Sequence, residues 1–462
     1  MSTLSVVTRE RLADTETAVS AYLKLCRGRS DSFLLESAET HETVGRYSII
    51  AFDPLSALEL WPETVRVTDS DGERTFPAER FFDLIRETLR TRACSTRPNL
   101  PAVGSLMGFL GYDAVRLIER LGPCPRGDLP VARLVFPSRF VVFDHRRRVM
   151  ILVAIAENER AGLEKIAENE EMLRVTLEMG RPGDGLEVQE PDPERYMEAV
   201  RRAKGYIRAG DIFQVVLADR FTGRTGIEPI DVYRRLRVRS PSPYMFFLDF
   251  GGYQLLGASP ETLVKVTGNR VVLRPIAGTR GRSDDQLRDQ ALEAELRASE
   301  KECAEHVMLV DLARNDAGRV SKYGTVTVSP YMTVDRFSHV MHLVSEVNGI
   351  LRPEADAVQA FMAGFPAGTV SGAPKVRAME IIDELEAGPR GPYAGAVGYF
   401  GPGLEMDTCI AIRMILFEKD RFTIPVGAGI VADSLPEMEY KEIQNKAAQS
   451  IAALRSTARG EL

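Results

Sequence analysis

The chain has 462 residues, of which 44% are hydrophobic and 27% are charged, and its formal net charge is −7. This is an ordinary globular composition, sufficient for a large core or for two to three domains. The acidic balance and the scatter of Lys and Arg argue against a nucleic-acid-binding protein. The N-terminal segment has no signal-peptide pattern, and the longest strongly apolar run, residues 149–156, is too short to span a bilayer.

Cysteine and histidine usage gives no redox or zinc motif. The five cysteines form no C-x-x-C pair, and their odd number and scatter indicate reduced thiols in a cytoplasmic protein. The five histidines form no H-E-x-x-H motif. His339 and His342 are three residues apart, but no third metal ligand accompanies them.

Residues 1–180 predict mixed α and β structure. The Asp53-Pro54 pair is expected to end a strand, and the polar, Pro- and Gly-rich residues 181–193 predict a linker. We therefore divide the chain into an N-terminal region, 1–185, and a main domain, 190–457. The elements predicted before the linker are helices at 17–26 and 157–179, strands at 32–36 and 45–54, and a hairpin at 140–154.

After the linker the pattern favours strands. Asp192 and Pro193 predict the N-cap and first turn of a helix that Gly210 ends. Strands outnumber helices and rarely alternate with them, which predicts an α+β fold with antiparallel sheets rather than a doubly wound fold. The predicted strands are 212–220, 244–250, 253–258, 262–266, 270–275, 395–400, 408–417 and 421–426.

Residues 298–316, ASEKECAEHVMLVDLARND, carry two carboxylates at helical spacing. We expect a helix followed by a tight loop, with an apolar stripe across residues 292–310 on one face and Glu302 and Glu305 together on another. Taken alone, such a pair is also typical of a solvated acidic face.

A second predicted helix carries a matching pair. Residues 434–437, SLPE, have the form of a capping box, with Pro436 in the first turn. Glu439 and Glu442 follow, three residues apart. If the two helices face each other across a cleft, their four carboxylates require a counter-charge, and oxygen ligands favour Mg²⁺. The alternative is two unrelated acidic faces.

Four further segments offer groups that suit anion binding or proton transfer, and each has a structural alternative. PAGTVSGAPK, residues 366–375, suits an anion site or a capped helix start. Gly427 and Gly429 suit a backbone cradle for a carboxylate or a β-bulge. Arg413 suits bidentate carboxylate binding or an edge strand, and Glu261 suits a general acid or a turn. Together they predict a small, multiply anionic organic substrate held partly through Mg²⁺.

The order and content of these segments resemble the chorismate-utilising enzymes. The resemblance covers nearly everything after Asp192 and, in the N-terminal region, LLES at 34–37 and GRYS at 45–48. It implies a fold of two packed antiparallel β-sheets with helices on the outside. The segments that carry it are GDIFQVVLADRF, SPSPYMFF, GASPE, PIAGTR, EKECAEHVMLVDLARND, HVMH, PAGTVSGAPKVRAMEIIDELE, RGPYAGAVGY, DTCIAIR, GAGIVADS and PEMEYKEIQNKA.

The resemblance also implies roles for residues of this chain. Glu305 and Glu442 would hold Mg²⁺, with Glu302 and Glu439 nearby. Glu261 matches the acid that helps the C4 hydroxyl of chorismate to leave. His342, rather than His339, matches the histidine of the aromatising step. The residues matching substrate-binding positions are Thr279, Tyr393, Arg413, Gly427, Ala428, Gly429 and Lys446, and Thr369 and Gln214 complete the catalytic set.

The activity implied is amination of chorismate by ammonia at C2, followed by loss of pyruvate to give anthranilate. Ala277 stands where the para-aminobenzoate branch has Lys, and Ala cannot trap the ring covalently. Gln214 stands where the salicylate and isochorismate branches have a water-activating Lys, and ammonia needs no such base. The alternatives are the aminodeoxychorismate branch, a synthase that stops at aminodeoxyisochorismate and, in another class, a non-catalytic tryptophan-sensing subunit.

The resemblance further implies a partner and an inhibitor. Because no G-x-C-x-G elbow is present, we expect a separate glutamine amidotransferase subunit to supply ammonia. Ser240 stands where the family usually has Asn, which predicts weaker feedback inhibition, and GTRGRS replaces the usual GTRPRG in a loop near the pocket. The positions matching a tryptophan regulatory site are Glu36, Ser37, Pro241, Ser242, Pro243, Tyr244, Met245 and Cys409.

Overall fold

A computed structural model of the chain describes residues 4–37, 45–94, 100–177, 185–336, 340–403 and 405–461. His339 and residues 181–184 of the predicted linker lie outside these ranges. The described helices are α1 (Ala18–Cys26), α2 (Phe81–Thr91), α3 (Glu159–Leu173), α4 (Pro193–Ala209), α5 (Pro229–Arg239), α6 (Gln286–Ala298), α7 (Glu300–Gly318), α8 (Ala357–Gly364), α9 (Lys375–Leu385) and α10 (Pro436–Ala458).

Short strands fill most of the remaining chain. The first twelve described are β1 (Ser5–Leu12), β2 (Ser32–Glu36), β3 (Tyr47–Leu60), β4 (Thr64–Asp69), β5 (Gly72–Pro77), β6 (Leu106–Leu110), β7 (Ala132–Asp144), β8 (Val149–Ala156), β9 (Leu186–Gln189), β10 (Gln214–Thr225), β11 (Tyr244–Asp249) and β12 (Gln254–Ser259). The next twelve are β13 (Thr262–Thr267), β14 (Arg270–Leu273), β15 (Ile276–Gly281), β16 (Thr327–Val328), β17 (Thr333–Arg336), β18 (Val340–Val344), β19 (Val347–Ile350), β20 (Gly372–Ala373), β21 (Ala396–Gly401), β22 (Glu405–Ile410), β23 (Met414–Glu418) and β24 (Arg421–Ile430).

Antiparallel pairing joins these strands throughout. One hydrogen-bonded network contains 21 strands, and β15, β18 and β17 form a separate three-stranded sheet. β2 pairs with β11 and β6 with β21, so strands of the N-terminal region extend those of the main domain. The predicted α+β class with large antiparallel sheets and helices is confirmed, while the domain division at 185–190 stays a prediction.

The sequence signals for helix ends act as expected in two cases. The Thr17 hydroxyl accepts a hydrogen bond from the Ser20 N–H and starts α1. The Asp192 side chain caps α4 in the same way, with Pro193 in the first turn. Gly210 ends α4 with φ +84°, a conformation that only glycine adopts without strain.

A large apolar core runs through the sheets and under the helices. Phe361 on α8 shows how it is built, because this fully buried ring stacks on Phe365 at 4.8 Å and meets Phe400 of β21 edge-on at 5.3 Å between centroids. None of the five cysteines, all of which lie in the described ranges, forms a disulfide. Among the described helices, none has the length and apolar character needed to cross a membrane.

Three predictions that concern strands were wrong. β3 continues through Asp53 and Pro54 with a register shift at Pro54, because an irregularity absorbs the missing proline N–H. The predicted strand 408–417 is two strands, β22 and β23, separated by a turn in which Arg413 has φ +51°. Residues 186–189 of the predicted linker form β9, which pairs with β10.

The helices that carry the carboxylate pairs also differ from prediction. Ser299 caps α7, so the apolar stripe predicted across residues 292–310 belongs to two helices rather than one. α7 continues through Gly318, and no tight loop follows at residues 314–316. The capping box at 434–437 is absent: Leu435 is the N-cap, and the Ser434 hydroxyl instead accepts from the N–H of Val431.

Candidate active site

Glu261 is a buried carboxyl at the entrance to β13. Its side chain accepts a hydrogen bond from the Thr369 hydroxyl at 2.8 Å. Burial raises the pKa of Glu261 to about 8, while the hydrogen bond from Thr369 and the backbone of Ile276 oppose that rise. The group is therefore a carboxylic acid at neutral pH and can donate a proton.

The Thr369 contact corrects the local interpretation of residues 366–375. Thr369 lies in a short 3₁₀ turn, six residues before α9, and its hydroxyl is directed at Glu261. Ser371 donates to the carbonyl of Ala367. The predicted hydroxyl-lined anion site at a helix N-terminus is therefore not what these hydroxyls form.

His342 lies on β18 directly across from Thr279 on β15. Its Nδ1 is 3.0 Å from the Thr279 hydroxyl and 3.1 Å from the carbonyl oxygen of Gly278. Because a carbonyl only accepts, Nδ1 carries the proton and Nε2 carries the lone pair. Burial lowers the pKa of His342 to about 4, so the imidazole is neutral at neutral pH.

The two carboxylate pairs meet between α7 and α10. The pKa of Glu305 is raised by burial and by the charges of Glu302 and Glu442. Burial, and the charge of Glu442, also raise the pKa of Glu439. The two helices therefore bring like charges together, as the spacing predicted.

Cationic and amide groups of the chain hold three of these carboxylates. Arg280 contacts Glu302 at 3.2 Å, and Lys446 contacts Glu442 at 2.6 Å. The Gln214 amide donates to Glu305 at 3.3 Å. Within the described ranges no three His, Cys, Asp or Glu side chains lie close enough to hold a metal as they stand.

The donor set nevertheless suits a hard cation. All four side chains offer oxygen, the ligand atom that Mg²⁺ prefers. The Oε2 atom of Glu439 is buried without a hydrogen-bond partner among the described residues. A buried carboxylate oxygen without a partner is costly, and a cation between α7 and α10 would remove that cost.

Near the carboxylates lies a set of groups that suits an organic anion. Arg413 lies in the bend between β22 and β23, burial lowers its pKa, and no carboxylate among the described residues forms an ion pair with it. Its Nη1 reaches only the backbone carbonyl of Lys446, at 3.5 Å. The edge-strand alternative is wrong, because Arg413 lies between two strands and not in one. A guanidinium without an ionic partner among the described residues suits carboxylate binding.

β24 runs past this cation as a glycine-rich strand. A Cβ at Gly429 would lie 2.5 Å from Nε2 of Gln214, and one at Gly427 would lie 2.8 Å from the Tyr393 hydroxyl. Glycine is needed at both positions because side chains approach the backbone closely there. Ala428 is buried between them, and Lys446 donates to the carbonyl of Gly427 at 2.8 Å.

A separate cavity of about 500 Å³ lies between β2 of the N-terminal region and β11, β13 and β22 of the main domain. The Ser37 hydroxyl at its wall is buried without a partner among the described residues. The Glu36 carboxylate is held by Arg237 at 2.7 Å and by the Tyr233 hydroxyl at 2.7 Å. The predicted tryptophan-site residues that line this cavity are Glu36, Ser37, Pro243, Tyr244, Met245 and Cys409.

Two predicted members of that set do not line the cavity. Pro241 and Ser242 precede β11, and the Ser242 hydroxyl donates to the carbonyl of Ser240 at 3.3 Å.

The sequence missed two contacts that hold α7 in place. One is the Arg280–Glu302 ion pair described above. The other joins His306, beside Glu305, to Ser345 at 2.6 Å between Nε2 and Oγ. Both contacts join residues that are distant in the chain, so local patterns do not reveal them. The one signal in the sequence was the presence of Arg280 in PIAGTR.

Comparison with known proteins gives a consistent family. The family described as chorismate binding enzyme matches residues 31–452. An anthranilate synthase component 1 from Acetivibrio thermocellus is 42% identical over 468 residues, which cover 97% of this chain and 94% of that protein. One from Cereibacter sphaeroides is 44% identical over 460 residues, which cover 94% of this chain and 91% of that protein.

A solved structure shows the same fold. The crystal structure of anthranilate synthase component I from Streptococcus pneumoniae TIGR4 matches with a TM-score of 0.80 and 37% identity, over 89% of this chain and 93% of that chain. The site geometry, the family match and the near full-length relatives agree, and the chain belongs to the chorismate-binding enzymes, on the branch of the anthranilate synthase component 1 proteins.

Proposed function

We propose that this chain converts chorismate and ammonia to anthranilate, pyruvate and water, the first step of tryptophan biosynthesis. The observation that carries the proposal is the pair of oppositely perturbed groups. Glu261 is protonated at neutral pH and His342 is not, and the reaction needs one proton donor and one acceptor. The names of the relatives support the same activity.

We assign substrate binding to cationic, phenolic and backbone groups of the site. Chorismate carries two carboxylates, and Arg413 and Lys446 are cations within the site. The Tyr393 hydroxyl, whose pKa burial raises to about 12, stays protonated and donates. The backbone at Gly427 and Gly429 allows a carboxylate to approach closely.

We further propose that Glu305 and Glu442 hold Mg²⁺, with Glu302 and Glu439 close by. Bound there, the ion would neutralise the ring carboxylate and make it an electron sink. Lys446 pairs with Glu442 and Arg280 pairs with Glu302, and an ion held by Glu442 would take the place of Lys446 there. Lys446 would then be released toward the substrate carboxylate.

The first step forms a C–N bond at C2 and breaks the C4–O bond. Glu261 gives its proton to the departing hydroxyl, which leaves as water, and Thr369 holds the resulting carboxylate by its hydrogen bond. Gln214 at this site has no basicity, which suits attack by ammonia rather than by an activated water. Ala277 leaves no amine in β15 that could react in place of ammonia.

The second step aromatises the ring. His342 removes the C2 proton through Nε2, the C3–O bond to the enolpyruvyl group breaks, and the departing enolpyruvate takes up one proton to become pyruvate, which balances the proton that His342 removes. Thr279 and the carbonyl of Gly278 fix the tautomer through Nδ1. A histidine of ordinary pKa would be partly protonated at neutral pH, and burial prevents this.

We also propose two interactions with other molecules. Because the relatives are named as component 1, a partner component is implied, and we propose that it is a glutaminase that delivers ammonia. The 500 Å³ cavity would bind tryptophan, with its apolar walls around the indole and Ser37 supplying a hydrogen bond.

The direct test incubates the purified chain with chorismate, Mg²⁺ and an ammonium salt, and follows anthranilate fluorescence and pyruvate release. We expect equal amounts of both products and no turnover when Mg²⁺ is chelated. Chorismate consumption without pyruvate would indicate a product that retains the side chain. A para-substituted product would indicate the other aminating branch.

Glu442→Gln should weaken Mg²⁺ binding at least tenfold, because even a partner of a metal ligand carries about that much affinity. Titration calorimetry measures binding, and the anthranilate assay measures turnover. Glu437→Gln is the matched control, since Glu437 is an exposed residue in the first turn of the same helix. Equal Mg²⁺ affinity in the two variants would contradict the metal assignment.

kcat/KM for chorismate should fall as pH rises through about 8, because Glu261 then loses the proton that it must donate. It should also fall as pH drops toward about 4, where His342 becomes protonated. The profile is measured at constant free ammonia. In Thr369→Val the alkaline limb should move to higher pH, because the hydrogen bond that this variant lacks holds the pKa of Glu261 down. An alkaline limb at the same pH in this variant would refute the role of Glu261.

Ser37→Ala should raise the Kd for tryptophan about three- to tenfold, the cost of one hydrogen bond. Calorimetry measures the Kd, and the inhibition constant from the anthranilate assay should rise in parallel. Ser56→Ala is the control, because its hydroxyl is equally buried without a described partner but does not line the cavity. If both variants bind tryptophan alike, Ser37 does not contact the ligand.

A further inference from the structure

Arg390 is a buried arginine for which the sequence predicted no role. It lies between α9 and Tyr393, and its side chain is 3% exposed. Its Nε and Nη2 donate to the two carboxylate oxygens of Glu386 at 2.9 and 2.5 Å. The carboxylate compensates the charge of a guanidinium that would otherwise be costly to bury.

The two side chains complete one edge of β10. On that edge β20 pairs with β10 at residues 214–215 and β9 pairs with it at 222–225. Between these two short strands, Arg390 Nη2 donates to the carbonyl of Val216 at 2.7 Å, and Glu386 accepts from the N–H of Ala218 at 2.8 Å. Buried backbone groups need partners, so the ion pair takes the place of a strand.

The stretch of β10 held in this way lies beside the glycines of β24. Val216 is the cross-strand partner of Gly429, and Ala218 is the cross-strand partner of Gly427. A carboxylate cradle made of backbone groups has no side chain to adjust its position. Its geometry therefore depends on how firmly the neighbouring strand is fixed.

The same guanidinium holds the loop that carries Thr369. Its Nη1 donates to the carbonyl of Val370 at 2.7 Å, one residue after the threonine that bonds Glu261. Its carbon also lies 5.9 Å from the ring centroid of Tyr393 and 4.5 Å from that of Tyr112. Arg390 thus contacts the strand beside the cradle, the loop that carries Thr369 and the ring of Tyr393.

We propose that Arg390, held by Glu386, is a positioning residue. It fixes the carboxylate cradle at Gly427 and Gly429 in position relative to the Thr369–Glu261 pair. It acts through its four hydrogen bonds and touches no reacting atom. The inference rests on the proposed function for the reaction it serves. Lysine cannot replace it, because an ammonium lacks the planar fork that reaches one carboxylate and two carbonyls together.

The test measures Arg390→Lys in the anthranilate assay. Displacement of about 1 Å in a site costs up to about 100-fold, so we expect kcat/KM to fall about 10- to 100-fold. KM should rise because the cradle shifts, and kcat should fall because the acid shifts. The alkaline limb of the pH profile should move to higher pH, as in Thr369→Val, because the hydrogen bond from Thr369 to Glu261 is weakened in both variants.

Arg139→Lys is the matched control for loss of a buried guanidinium. Arg139 is also buried, and it bonds Asp53, Asn169 and Glu168 in the N-terminal region, away from the site. Melting temperatures are measured for both variants. We expect both to lose stability, and only Arg390→Lys to change KM, kcat and the pH profile.

If Arg390→Lys loses stability but keeps the kinetic constants and the alkaline limb of the unaltered chain, the inference is overturned. If that variant does not fold, Glu386→Gln is measured against the same criteria, because it keeps an acceptor for Ala218 but weakens the hold on Arg390. An unaltered chain that makes no anthranilate would instead refute the proposed function, so the two failures are distinguishable.

Discussion

The antiparallel pairing of β10 with β24 is the constraint on which the site depends. It sets Val216 against Gly429 and Ala218 against Gly427, and it opens a glycine-lined surface along β24. α10 follows β24 directly and so brings Glu439 and Glu442 to the same end of the sheet. β20 pairs with the start of β10 and brings Thr369 to Glu261. Residues more than 200 positions apart therefore meet at one strand pair.

Burial, more than pairing of charges, decides the state of each group in this site. It raises the pKa of Glu261 and lowers those of His342 and Arg413, because the charged form of each loses its hydration. The carboxylates between α7 and α10 are different, since their mutual repulsion adds to the effect of burial. The site thus combines a neutral acid, Glu261, and a neutral base, His342, with cationic side chains and a group of carboxylates.

The cavity and the acid share a strand pair. Thr262 lines the cavity and directly follows Glu261, and Cys409 on β22 is its cross-strand partner. The N–H of Ile410, one residue further, donates to the Glu261 carbonyl at 3.0 Å. A molecule bound in the cavity would therefore contact the two strands next to Glu261 without entering the site itself.

The sequence by itself determined which residue types could serve the chemistry. Carboxylates three apart on helices, glycines after a strand and the ordered family segments are local patterns, and they led to Glu305, Gly429 and the α+β class. Tertiary structure alone decided that Arg413 lies in a bend between two strands. It also decided that the Thr369 hydroxyl bonds Glu261, a carboxyl 108 residues away in the chain. It also decided the placement of Arg390 at the open edge of β10. Those features depend on desolvation and on contacts between distant strands, which no local spacing encodes.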